Sequence, residues 1–450
     1  MVRLISFRFR LSISLIFIVV AGAWFWNSRT TVWYPNAIVF SPNEQYRDNF
    51  GATIAVDQET VVAGAPGDRS AGTPGSAYVY VPSNSGWRLE ATLHGREFSQ
   101  GIYDGFSNRI SIDENTIITL DERSGLRSFY KFERQGTTWS QVKPTVLDPA
   151  NTLRNQQIVE AIFAEDVAID GDALVIGARE AAYVFTRTAP NTWTYETQLT
   201  LPESQSPKAT DKVCYFGSSV AISGDTIVVG SRSIFGPRYC ANVFVRQPKT
   251  RKWIHQALLL PKRCRSLNAC NNLEGFGYSV AIEDDTIVVG TAAKLPGPLA
   301  HCNVSGGDAA YIFERDRESG NWQQTAVLGP KGIWESVMAT RCGFGEAVAV
   351  ASDRVLVSGV DSSTAPHLFK RHPSTGQWQY EATLSVDPNK VNLSGRDDFA
   401  RRIGLANPFA VGSIGLSTRF AIVGHPWLSE TEQTSNQLGA FSVFDLQITK

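Results

Sequence analysis

One stretch recurs along the chain and decides what it can fold into. It first stands at Phe50 to Pro66, FGATIAVDQETVVAGAP. Two apolar runs, Ile54–Val56 and Val61–Ala63, flank a polar turn at Asp57–Glu59, and Gly64 closes the unit. Short β-branched runs around a polar turn predict a β-hairpin rather than a helix. Phe106, Phe163, Phe216, Phe276 and Phe344 open five more copies, and Phe399 a seventh with extra residues inside its hairpin. Two copies depart from the pattern: Leu120 replaces the closing Gly, and Ala164 replaces the second residue. The starts lie 53 to 68 residues apart. A lone hairpin is marginal in water, so the units must stack. A period of that size with several strands per unit predicts a radial β-propeller, with a solenoid as the lesser choice.

Each unit carries two further strands. The third is aromatic and β-branched, as in Ala77–Tyr80, Ala182–Phe185, Val243–Val245 and Ala310–Phe313. The fourth opens on a tryptophan: Trp87, Trp139, Trp193, Trp253, Trp322 and Trp378. The last unit stops after Gly439–Leu446 without its Trp strand, and Trp33 opens a matching segment, WYPNAIVF, ahead of the first unit. The expectation is an all-β, seven-bladed β-propeller of four-stranded blades over residues 33–447. An N-terminal strand, Asn36 to Phe40, would close the ring by pairing with Ala440 to Asp445. Closure removes the exposed sheet edges that an open array leaves.

Length alone would give about three domains, but a repeat array of 450 residues can be one closed domain. Lys and Arg number 42 against 43 Asp and Glu, which leaves no basic footprint for nucleic acid. Arg3, Arg8 and Arg10 precede an apolar run from Leu11 to Val20, and Ala21-Gly22-Ala23 fits a signal-peptidase site. Residues 1–23 thus read as a signal peptide, or the apolar segment stays as an N-terminal membrane anchor to about Trp26; both place the rest outside the cytoplasm. All six cysteines, Cys214, Cys240, Cys264, Cys270, Cys302 and Cys342, fall in the second half of the chain. An even number behind an export segment predicts three disulfides. Spacing favours Cys214–Cys240, Cys264–Cys270 and Cys302–Cys342, with Cys270–Cys302 as a competing pair. Asn303 and Asn392 open glycosylation sequons.

These repeats resemble the FG-GAP repeats of integrin α-subunit heads and related extracellular propellers, with both halves of the motif in Phe50-Gly51 and Gly64-Ala65-Pro66. The WD40 pattern fits poorly, because no Gly-His and Trp-Asp pair recurs, and the sialidase-type Asp box lacks its Trp after Gly224-Asp225. The resemblance implies calcium loops of the D-x-D/N-x-D-G type in some blades. Here Asp170-Gly171-Asp172 and Glu283-Asp284-Asp285 are too short to surround a hard cation. No cofactor is expected, and calcium is disfavoured.

Glu59, Asn115, Asp172, Asp225, Asp285 and Asp353 share one turn position and read as hairpin residues rather than a carboxylate ring. The histidines are scattered, and no Ser-His-Asp or H-E-x-x-H pattern stands out. No catalytic residue is assigned. The functional expectation is an exported, secreted or cell-surface recognition module that binds a protein or glycan ligand through its loops. The alternatives are a glycan hydrolase or lyase acting at the propeller mouth and a structural surface protein.

Overall fold

The computed structural model describes residues 31–42, 48–67, 74–95, 105–120, 129–142, 164–178, 180–189, 192–202, 214–233, 240–262, 275–291, 309–329, 344–358, 365–385, 413–426 and 439–447. In blade 1 the strands Thr53–Asp57, Thr60–Ala65, Ser76–Ser83 and Gly86–His94 pair antiparallel in chain order. Five further sheets, opening at Arg109, Ala164, Cys214, Ser279 and Ala347, keep that order. The seventh comprises Ile414–Leu416, Phe420–His425, Ala440–Asp445 and Ala37–Phe40. Each first strand lies against the first strand of the next blade, and Ile414–Leu416 lies against Thr53–Asp57, so the sheets form a closed ring around a central channel. The molecule is an all-β, seven-bladed propeller, with no helix among the described residues.

Burial follows position in the blade. Second strands such as Thr60–Ala65 are buried along their whole length and read as continuous apolar runs. Outer strands alternate, as in Trp322–Leu328, where the polar positions face solvent. The core lies between blades. One apolar cluster fills each junction, from blades 1 and 2 around to blades 7 and 1. The motif phenylalanines Phe50, Phe106, Phe216 and Phe276 sit in these clusters with no exposed surface. Each such ring contributes about 1.5–3 kcal/mol of burial.

The glycines explain why the motif has two halves. Gly51, Gly217, Gly277 and Gly345 adopt φ of +85°, +96°, +88° and +100°, a region that side chains avoid. The closing glycine of one blade receives the opening glycine of the next. A Cβ on Gly424 would overlap the Gly51 carbonyl, one on Gly230 that of Gly277, and one on Gly290 that of Gly345. The halves are thus mates across a junction, not within a blade.

The ring closes as the sequence predicts: Ala37 pairs with Val443 and Phe40 with Ala440, antiparallel. Trp33, however, does not start that strand. Val32–Trp33 pairs in parallel with Thr383 and Leu384, as a fifth strand on the outer edge of blade 6. Pro35 separates the two pieces; it has no N–H for a ladder, so one strand cannot run through it. The hairpin of blade 7 also differs. The stretch from Phe399 to residue 412 lies outside the described residues, and the inner strand is Ile414–Leu416. A turn at 417–419 closes it, with Ser417 N–H donating to the Phe420 carbonyl at 2.8 Å. The extra residues therefore precede the paired strand instead of interrupting the hairpin.

Candidate functional site

In every blade the turn between first and second strands and the turn between third and fourth strands leave from one end. The first-turn residues Gln58, Glu114, Gly171, Gly224, Asp284 and Ser352 have φ between 48° and 54°. The amide of that residue points out of its own hairpin, and in five blades the preceding blade supplies an acceptor. Asp57 accepts from Glu114 N–H at 2.7 Å, Asp113 from Gly171 N–H at 2.8 Å, and Ser223 from Asp284 N–H at 3.0 Å. Asp170 takes Gly224 N–H and Glu283 takes Ser352 N–H in the same way. Burial pushes the carboxyls of Asp113 and Glu283 above the usual range, against the pull of those amides.

A second series runs above the turns. Arg134, Arg187, Arg246, Arg315 and Arg371 each stand opposite the tryptophan that opens the fourth strand. Four of the guanidinium carbons lie 5.7, 4.9, 5.5 and 4.7 Å from the ring centres of Trp139, Trp193, Trp253 and Trp322, within cation–π range. The same arginines reach back to the preceding blade. Arg246 meets Glu196 at 2.8 Å, Arg371 meets Glu314 at 3.0 Å, and Arg187 and Arg315 donate to Thr116 and Thr226 at 3.0 and 2.7 Å. This series escaped the sequence reading. Its signal is a basic residue five to seven positions before each tryptophan, at a spacing that varies with the turn.

The six turn positions do not converge on one centre. Asp172 lies 3.7 Å from Arg187, Asp225 3.6 Å from Arg251, Asp285 2.9 Å from Arg317 and Asp353 3.5 Å from Lys370. Glu59 pairs with Arg419 of blade 7. Asn115 offers its carbonyl to Arg134 N–H at 2.9 Å.

Blade 1 breaks the arginine series. Pro82 stands opposite Trp87, where the other blades hold arginine. An open cavity of about 590 Å³ lies there between blades 1 and 2. Asp57, Gln58, Glu59, Val81 and Pro82 line it from blade 1, and Glu114, Asn115 and Arg134 from blade 2. Arg134 turns its guanidinium to Glu90 at 2.8 Å, whose side chain is 1% exposed.

The first strands carry a second irregularity. Thr53, Ser219 and Ser279 donate their hydroxyls to the next blade's Ser107, Gly277 and Gly345 carbonyls at 2.6, 3.0 and 2.8 Å. In blades 2 and 3 the same position holds Arg109 and Asp166. Arg109 Nε donates to the Glu165 carbonyl at 2.9 Å, and Asp166 accepts Val220 N–H at 2.9 Å. Burial pushes the Asp166 carboxyl up, while the Arg109 charge and that amide pull it down.

Among the other residues singled out from sequence, Cys214 opens the first strand of blade 4, and Cys240 is buried at the start of its third strand. Cys264, Cys270, Cys302, Cys342, Asn303, Asn392 and the leader at 1–26 lie outside the described residues. His94, His255, His367 and His425 belong to blades 1, 4, 6 and 7.

A family model described as FG-GAP repeat matches residues 35–80 and 210–234. No curated protein matches the sequence. Among solved structures, a Lactobacillus plantarum protein is 10% identical, with a TM-score of 0.49, over 86% of this chain and all of its own. The periplasmic gluconolactonase PpgL of Pseudomonas aeruginosa is 12% identical, with a TM-score of 0.44, over 75% of this chain and 85% of its own. Saccharomyces cerevisiae Sqt1 is 10% identical, with a TM-score of 0.41, over 93% and 99%.

Proposed function

The chain is an FG-GAP-repeat β-propeller, and from that premise we propose that it is an exported recognition module for a protein or glycan ligand. The cavity between blades 1 and 2 carries this reading. It is concave, polar and set on rigid hairpins, which is how a scaffold presents a binding site at low ordering cost. The export half rests on the basic and apolar leader at Arg3 to Ala23.

The test is binding of the full-length chain to glycan and peptide arrays, beside an Asn115→Trp variant that fills the cavity. The expected result is a ligand captured by the parent and lost by a variant with the same melting temperature. Equal capture by both, or no capture by either, would overturn the assignment to this cavity. A second reading, glycan cleavage at the channel mouth, is favoured by Asp166, whose carboxyl is raised and stands beside Arg109 in the first strands. It requires turnover of a polysaccharide substrate that Asp166→Asn abolishes.

A further inference from the structure

We infer that the ligand of the blade 1–2 cavity presents a cationic side chain, the guanidinium or ammonium group of a basic peptide segment. The inference rests on the recognition reading above and names its ligand class. The repeat itself supplies the template. In blades 2 to 6 the position opposite the fourth-strand tryptophan is an arginine. Arg187 and Arg315 lie there within 3.7 and 4.0 Å of their own turn carboxylates, Asp172 and Asp285. Blade 1 keeps the tryptophan and the turn acid but has Pro82 in the arginine's place. Proline has neither charge nor side-chain donor, so the blade retains the acceptors of the arrangement without its donor.

The charges around the cavity agree. Three carboxylates line it, on Asp57, Glu59 and Glu114, against one guanidinium, on Arg134. That guanidinium is engaged by Glu90, which does not line the cavity. Asp57 accepts only an uncharged amide, that of Glu114. The Glu114 carboxylate has no hydrogen bond or ion pair among the described residues, whereas Glu59 is met by Arg419. The lining is therefore short of positive charge, and the volume of about 590 Å³ exceeds what one side chain needs, leaving room for the peptide that carries it. The acids stand on two separate turns, spread along a groove rather than gathered around a point. That arrangement suits an extended cation with several donors better than a spherical ion, which asks for about 6–8 oxygens at one centre.

The experiment uses the full-length chain and a fluorescent Gly/Ser octapeptide carrying two arginines, with citrulline and lysine versions. A neutral oligosaccharide set and calcium chloride serve as the other probes. The arginine and lysine peptides should bind, and the citrulline peptide at least about tenfold more weakly, a loss of about 1.4 kcal/mol. Raising salt from about 0.05 to 0.3 M should weaken binding further, as for exposed charges. Pro82→Arg, which restores the repeat's own cation, and Glu114→Lys, an exposed change that leaves the core intact, should each reduce binding about tenfold or more. Citrulline binding as tightly as arginine, or either variant binding like the parent, would overturn the inference. Oligosaccharide capture lost in Glu114→Lys would reject the cationic ligand but keep the recognition reading. Calcium binding to the parent that Glu114→Lys abolishes would make the cavity an ion site and reject the inference. Failure of all probes would reject both.

Discussion

Leu120 and Ala164 belong to one apolar cluster between blades 2 and 3, at the place where other junctions set two glycines against each other. Leu120 ends the second strand of blade 2, and Ala164 opens the first strand of blade 3. In sequence they look like two independent losses of the motif. In the ring they are one change, because each residue occupies what the other's missing glycine left.

The pair should not respond to restoration of the motif. Leu120→Gly is expected to cost about 2–5 kcal/mol by opening a cavity in that cluster. Gly277→Ala should also destabilise, by about 1–3 kcal/mol from overlap with the Cys240 carbonyl, with its positive φ adding about 1–2 kcal/mol. Urea unfolding midpoints measure both. A Leu120→Gly protein as stable as the parent would show that the two positions do not compensate.

Glu90 supplies the second prediction. Its side chain is 1% exposed and is held by Arg134 at 2.8 Å and by the Trp139 indole N–H at 3.1 Å. Arg134→Met should cost about 3–5 kcal/mol, because it strands a buried carboxylate. Adding Glu90→Met should recover most of that loss. A double-mutant cycle with no coupling would mean that solvent already screens the pair.

Ring closure can be tested by removing its strand. A chain lacking residues 31–41 should melt earlier and exchange the amides of Phe441 and Val443 faster, since Ala37–Phe40 covers that edge of Ala440–Asp445. Unchanged exchange there would indicate that the blade holds without it.

His367 makes stability depend on pH. Burial pulls its imidazole below the usual value near 6.5, against the Ala365 carbonyl at 2.8 Å from Nδ1. Folding therefore favours the neutral ring. The contribution is complete above the unfolded value and is lost as pH falls through about 6.5 and below. The melting temperature should drop between about pH 7.5 and 5.5, and His367→Asn should flatten that drop relative to the parent. His255, lowered by the same cause, adds in the same direction. Parallel pH profiles for parent and variant would remove His367 from the account.

The blades were legible because each motif residue has a local reason to be there: β-branched runs for the strands, left-handed turn residues, and glycines where backbones meet. Closure by Asn36 to Phe40 was legible for the same reason, as a missing fourth strand must come from somewhere. The place of Trp33 was not, because its spacing to Ala37 imitates the other tryptophan strands while Pro35 prevents the pairing that the spacing implies. The blade 7 hairpin was misread because the apolar segments around Gly404 and Gly415 both resemble an inner strand, and only the short turn before Phe420 selects between them. The cavity was hidden more deeply. It is marked by Pro82 at a position whose meaning appears only once five arginines are seen stacked on five blades.

Asn36 accepts the Asp445 amide across 409 residues of chain, at 2.6 Å. A ribosome makes Asn36 early and Asp445 almost last. The edge strand of blade 7 must therefore emerge, and wait unpaired, while six blades are assembled behind it. No partial product can close, and a chain truncated near its C-terminus leaves an apolar strand searching for an edge. Exposed strand edges are what quality-control machinery and aggregation both recognise, so this architecture makes completion of synthesis a condition for a sealed molecule.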